Sequence, residues 1–297
     1  FCTIPRIRGP FRSRPMESIE AEVRSLVAQG VQEVVLIGQD TTMYGTDLYG
    51  RLLLPELLRR LDRTGVRWIR LLYAYPAHVT DELIETMAQL PSVCPYLDMP
   101  LQHASDRLLR AMRRWGSRRR YEELIERIRA RIPQVALRTT FIVGFPGEED
   151  RDVEALLDFV ASVRFDHVGV FLYSREEGTP AAQLAAQVPA REKSRRRRAV
   201  MELQKSLVSA TLALRVGLQT WAVLERPLAG QRRWQARTPY QAPEVDGVCI
   251  VAGVQGAAGQ WVSVRLAGVR GYDYLALPVE ARGHPWYNAR TAPRAGP

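Results

Sequence analysis

The sequence predicts an α/β fold, a barrel or partial barrel of parallel strands, followed by a small all-β barrel. Three observations carry that expectation. Five short apolar runs, rich in β-branched residues, alternate with helical patterns, and a sixth strand is expected just ahead of Cys2. No Gly-x-Gly-x-x-Gly follows any run and no Walker phosphate loop occurs, which weighs against the competing dinucleotide-binding sheet. After Gly217 the helical period gives way to short strands broken by Gly, Pro and Asp.

The elements follow in order. Ile19, Val23, Leu26 and Val27 share one face of a helix that starts at Pro15 and ends at Gly30. Residues 33–38 read as a buried parallel strand, with a polar loop over 39–45. Leu53, Leu57, Leu58 and Leu61 mark a helix closed near Gly65, and residues 68–73 a strand. Thr80 opens the next helix as its N-cap, with Leu83, Ile84, Met87 and Leu90 inward and Pro91 as the stop. Residues 96–101 read as a strand, and Ser105 as the cap of a helix over 106–113. A basic break at 113–120 precedes a helix carrying Leu124, Ile125 and Ile128. Residues 136–143 and 167–173 are the last two strands, around a helix faced by Val153, Leu156, Leu157 and Val160. One long helix covers 190–213 and includes the run Arg195, Arg196, Arg197 and Arg198. Strands are expected at 221–225, 248–251, 261–266 and 274–277. The domains are therefore set at 1–213 and 214–282, with 283–297 as a loose tail rich in Pro, Gly, Ala and Arg.

Composition narrows the class. In 297 residues, 46% are hydrophobic and 25% charged, which excludes a disordered chain. No apolar run reaches the roughly 18 residues that a membrane helix needs. Three widely separated cysteines argue against a disulfide framework and for a reducing, cytoplasmic setting. The net charge of +10 suits a polyanionic partner such as RNA or a ribosome; equally, it suits a chain that merely uses Arg freely. The basic helix is read the same two ways, as an RNA contact or a solvated face.

Cys2 stands at a strand end, ahead of a basic turn holding Pro5 and Gly9. A lone cysteine is ordinarily a small buried hydrophobe; in an exposed electropositive loop it is a candidate metal ligand. Cys94 and Cys249 read as structural. Gln39, Gln102, His103, Arg138 and Thr140 fall on strands or at their ends, where barrel enzymes keep their chemistry. His103 could instead bond neighbouring backbone, Arg138 could be a paired core arginine, and the stretch from Gly144 to Gly147 could be only a turn.

Residues 1–15, Gln39 with Asp40, and the blocks 96–106, 138–148 and 173–181 resemble, in order, the radical-SAM methylthiotransferase family. The block 96–106 and residues 175–177 resemble its RimO branch, and residues 219–282, with 242–247, its C-terminal TRAM barrel. The resemblance implies a partial (β/α)6 radical-SAM barrel lacking its first strand. It also implies S-adenosylmethionine bound at the open iron of a 4Fe–4S cluster held by three cysteines. A second cluster, in an N-terminal domain, would supply the methylthio group. Cys2 matches the third cysteine of the Cys-x3-Cys-x2-Cys motif, and Gln39, Gln102, His103, Arg138, Thr140 and Gly144 match blocks that would contact S-adenosylmethionine or substrate. The substrate implied is an aspartate of the twelfth small-subunit ribosomal protein, on or near the ribosome, with RNA contact through the TRAM barrel and basic helix. Alternatives are the sister tRNA methylthiotransferase and a non-catalytic RNA- or ribosome-binding fragment. The first two motif cysteines are missing, so the chain reads as a fragment, inactive alone.

Overall fold

The computed structural model describes residues 2–229 and 232–280. The tail expected over 283–297 lies outside them. The chain opens with helix α1 (Ile4–Arg8) and helix α2 (Met16–Ala28), which leads to strand β1 (Glu33–Leu36). Short α3 (Thr46–Tyr49) and α4 (Leu54–Asp62) precede β2 (Trp68–Leu71). Then come α5 (Asp81–Gln89), β3 (Val93–Asp98), α6 (Asp106–Ala111), α7 (Arg118–Arg131), β4 (Ala136–Val143), α8 (Asp150–Val163) and β5 (His167–Leu172). The five strands are parallel and adjacent in chain order, the arrangement expected of successive β–α units.

The local reasons are those the residue types supply. Thr80 caps α5, accepting from the Leu83 N–H at 3.2 Å. Leu57, Leu58 and Leu61 are at most 3% exposed, so the apolar stripe of α4 faces the sheet. Two expectations need correction. The third strand runs over Val93–Asp98, earlier than residues 96–101, and Met99 to Gln102 stay tied to β4 only through separate bonds such as Met99 N–H to Arg138 O at 2.9 Å. Ser105 makes no side-chain cap; its hydroxyl donates to Asp152 at 2.6 Å, because α8 brings a carboxylate within reach. In addition, β1 is an edge strand and only Val34 within it is buried.

Helix α9 (Ala190–Ala213) packs on β5 and α8 and leads into the second unit. There β6 (Gln219–Pro227), β7 (Arg233–Arg237), β8 (Cys249–Ala252), β9 (Trp261–Arg270) and β10 (Asp273–Pro278) close in the order β10-β8-β7-β6-β9. Strand β7 had no sequence signal, since only Trp234 and Ala236 in it are apolar; closure of the barrel makes it a strand.

The small barrel is locked to the sheet. Trp68, Tyr96 and Ala136 share an apolar cluster with Leu224, Val264 and Tyr274. Arg70, fully buried, donates to Glu33 at 2.9 Å and to the Pro239 carbonyl at 2.8 Å. Arg215 pairs with Asp166 at 2.5 Å and donates to the Val135 carbonyl at 2.7 Å. One arginine of the basic run of α9 is likewise internal: Arg196 is buried against Glu148 and Glu192, whereas Arg195 pairs with Glu192 and Asp150 at the exposed surface.

Candidate functional site

Strand β4 explains the site's geometry. Its side chains alternate, with Leu137, Thr139, Phe141 and Val143 buried and Arg138, Thr140 and Ile142 half-buried. The second set faces a cavity of about 840 Å³ at the carboxyl ends of the strands. Cys2, Gln39, Gln102, Arg138 and Thr140 all line it, so the fold collects five of the seven expected residues. The chain turns sharply around it: Tyr73, Gln102 and Arg113 hold φ of 59°, 72° and 54°. Left-handed backbone at residues with a Cβ is strained, and such strain concentrates at functional sites.

Charge at the cavity is organised by a residue from the second unit. Asp246, with a fully buried side chain, accepts from Arg138 at 3.0 Å, from the Tyr96 hydroxyl at 2.7 Å and from the Ala242 N–H at 2.8 Å. Val245 beside it lines the cavity. Arg138 also stands 3.4 Å from Asp98 Oδ1, while Asp98 Oδ2 accepts from the Tyr73 N–H at 3.1 Å. Asp98 Oδ1 accepts no hydrogen bond among the described residues.

Burial pushes the Asp98 carboxyl above its ordinary value, and the Tyr73 N–H and Arg138 offset only part of that. The folded chain therefore binds this proton more tightly than the unfolded chain. Stability from this group is full below the unfolded value near 3.8 and is lost as pH rises through the raised folded value. Asp98→Asn keeps an acceptor for Tyr73 and carries no charge. It is expected to raise the urea midpoint at pH 7, with the gain vanishing toward pH 3–4, as urea unfolding across that range would show.

His103 and Gly144 are not brought to the cavity. The His103 ring is fully buried, accepts from the Ser105 N–H at 2.9 Å and lies 3.1 Å from Glu148 Oε1. Gly144 donates its N–H to the same carboxylate and holds φ of 78°, and a Cβ there would sit 2.2 Å from Lys193 Cγ. Both brace the turn after β4 against α9. Sequence reasoning missed Asp246 as a site residue, although it stands in the stretch 242–247 singled out for resemblance.

Cys2 is exposed, whereas Cys94 and Cys249 are buried in strands, and burial pushes the Cys249 thiol up to about 12. No group of three or more His, Cys, Asp or Glu side chains among the described residues could hold a metal ion. A 4Fe–4S cluster therefore does not fit these residues by themselves, which offer it one thiol. The cavity does suit a ligand of S-adenosylmethionine's size, with an apolar lining and a few convergent polar groups.

Residues 1–160 match the family model of the Radical SAM superfamily, and residues 216–279 that of the TRAM domain. The chain belongs to the Radical SAM superfamily and carries a TRAM domain behind its parallel sheet. It is 50% identical over 277 residues to the ribosomal protein uS12 methylthiotransferase RimO of Moorella thermoacetica, covering 93% of this chain and 63% of that protein. The RimO proteins of Heliobacterium modesticaldum and Desulforamulus reducens are 46% and 45% identical, with 95% and 93% of this chain covered and 62% and 63% of theirs. The chain thus spans about three fifths of the length of the curated relatives it matches.

Proposed function

We propose that the chain is the radical-SAM and TRAM part, over 1–213 and 214–282, of an enzyme that methylthiolates an aspartate of ribosomal protein uS12. The observation that carries this reading is 50% identity to a uS12 methylthiotransferase across nearly the whole chain. The cavity supports it by gathering Cys2, Gln39, Gln102, Arg138 and Thr140. In this reading Cys2 is one cluster ligand, and the other four contact S-adenosylmethionine or substrate. His103 and Gly144 act from behind, by holding the turn after β4. The exposed basic side chains Arg197 and Arg198 and the TRAM barrel would rest on ribosomal RNA in the cytoplasm. The activity is assigned to the protein at its relatives' length.

Mass spectrometry of uS12 from cells with and without the intact gene tests this. Loss of the methylthio-aspartate is expected without the gene. An unchanged level would refute the reading, and loss of a methylthio-adenosine from tRNA in its place would favour the sister activity.

A further inference from the structure

The cavity carries more cationic charge than its own carboxylates match. Arg138 is balanced by Asp246 and Asp98. Arg113 and Arg114 line the same cavity, and neither is in an ion pair among the described residues. The chain leaves α6 through a tight turn, with Arg113 N–H on the Arg110 carbonyl at 3.0 Å and Arg114 N–H on the Leu109 carbonyl at 2.8 Å. The left-handed φ of 54° at Arg113 lets two neighbours in sequence share one wall.

Arg114 is held rigidly. One of its terminal nitrogens donates to the Pro100 carbonyl at 2.8 Å, and its guanidinium carbon stands 4.5 Å from the centroid of the Tyr75 ring. The Tyr75 hydroxyl is itself fixed by the Trp115 N–H at 3.2 Å. Arg114 Nε is buried without a hydrogen-bond partner among the described residues. Burial is the leading influence on this group and holds its pKa below the ordinary value. Arg113 is exposed beside it.

We propose that Arg113 and Arg114 receive the carboxylate of the substrate aspartate, a specificity contact that rests on the uS12 reading above. Guanidinium groups match a carboxylate with planar, charge-assisted bonds, and neither Arg113 nor Arg114 has a carboxylate partner among the described residues. The chemistry of aspartate favours this placement. Its side-chain hydrogens sit on the carbon bonded directly to the carboxylate, so fixing the carboxylate fixes the reacting carbon. Cys2 lines the same cavity. S-adenosylmethionine carries a carboxylate of its own, but exchanging aspartate for asparagine in uS12 would leave that contact unchanged.

The test measures binding of uS12, and of uS12 with its target aspartate changed to asparagine, to the complete protein as wild type, Arg113→Gln and Arg114→Lys. Arg114→Lys keeps the charge but loses the fork, and Arg113→Gln changes an exposed side chain, so both variants are expected to fold. Wild type should prefer the aspartate form by about tenfold or more, the scale of a hydrogen bond to a charged group. Each variant should bring that preference close to one, while its binding of the asparagine form stays as in wild type. Variants that keep the full preference, or a wild type with none, would overturn the proposal and leave the uS12 reading intact. A wild type that binds neither form would sink the uS12 reading and the proposal with it. Weakened binding of a tRNA stem-loop by the same variants, with the aspartate preference untouched, would make the pair a phosphate contact and overturn the proposal.

Discussion

Asp246→Ala is expected to destabilise the chain by about 3–5 kcal/mol, the usual cost of removing one partner from a buried charged cluster. The side chain is fully buried and accepts from Arg138, Tyr96 and the Ala242 N–H, with His167 Nδ1 3.4 Å away. Each donor belongs to a different part of the structure. Tyr96 and Arg138 lie on β3 and β4, and Ala242 in the TRAM loop. Burial, with the Asp246 charge second, keeps the Tyr96 hydroxyl protonated far above its ordinary value, so it remains a donor. Alanine leaves the Arg138 cation balanced only by Asp98 at 3.4 Å, and leaves the buried Tyr96 hydroxyl and Ala242 N–H without their acceptor. Asp246→Asn should cost less, because its carbonyl oxygen still accepts. Urea unfolding compares the three chains. A loss under about 1 kcal/mol for alanine would show that this cluster does not hold the TRAM loop to the cavity.

Such a cluster also explains what could be read from sequence. Strand β4 over Ala136–Val143 and helix α9 over Ala190–Ala213 match their expected bounds, because each carries its own period and its own breakers. The third strand was shifted because its partner β4 lies about forty residues on, and β7 was hidden because its own residues are mostly polar and only pairing with β6 and β8 makes it a strand. The same division runs through the site. Gln39, Gln102, Arg138 and Thr140 follow from their places on or just beyond strands, where the fold aims side chains at the cavity. His103 and Gly144 stand in equally suggestive blocks, yet a buried Glu148 and helix α9 draw them behind the wall. Nothing in their residue types announces Tyr73, Gln102 and Arg113 as left-handed positions, because glycine, the usual marker, is absent there. Asp246 was legible only as part of a stretch. Its side-chain partners Tyr96 and Arg138 lie more than a hundred residues away, and tertiary packing alone unites them.

Under the proposed function, Cys2→Ala in a chain of the relatives' length is expected to reduce methylthiolation to background while leaving the fold in place. The thiol is exposed at the cavity, so its loss opens no core void, unlike the same change at buried Cys94 or Cys249. Cys249→Ala therefore serves as the contrast, lowering stability but not removing a group from the cavity. If Cys2 is the cluster ligand proposed above, serine at position 2 should fail as alanine does, since a hydroxyl is a poor substitute for a thiolate toward iron. The direct measurement is the methylthio-aspartate content of uS12, by mass spectrometry, in cells whose only copy of the protein carries Cys2→Ala. The account predicts none above the level of cells lacking the gene. A wild-type level of modified uS12 would contradict it.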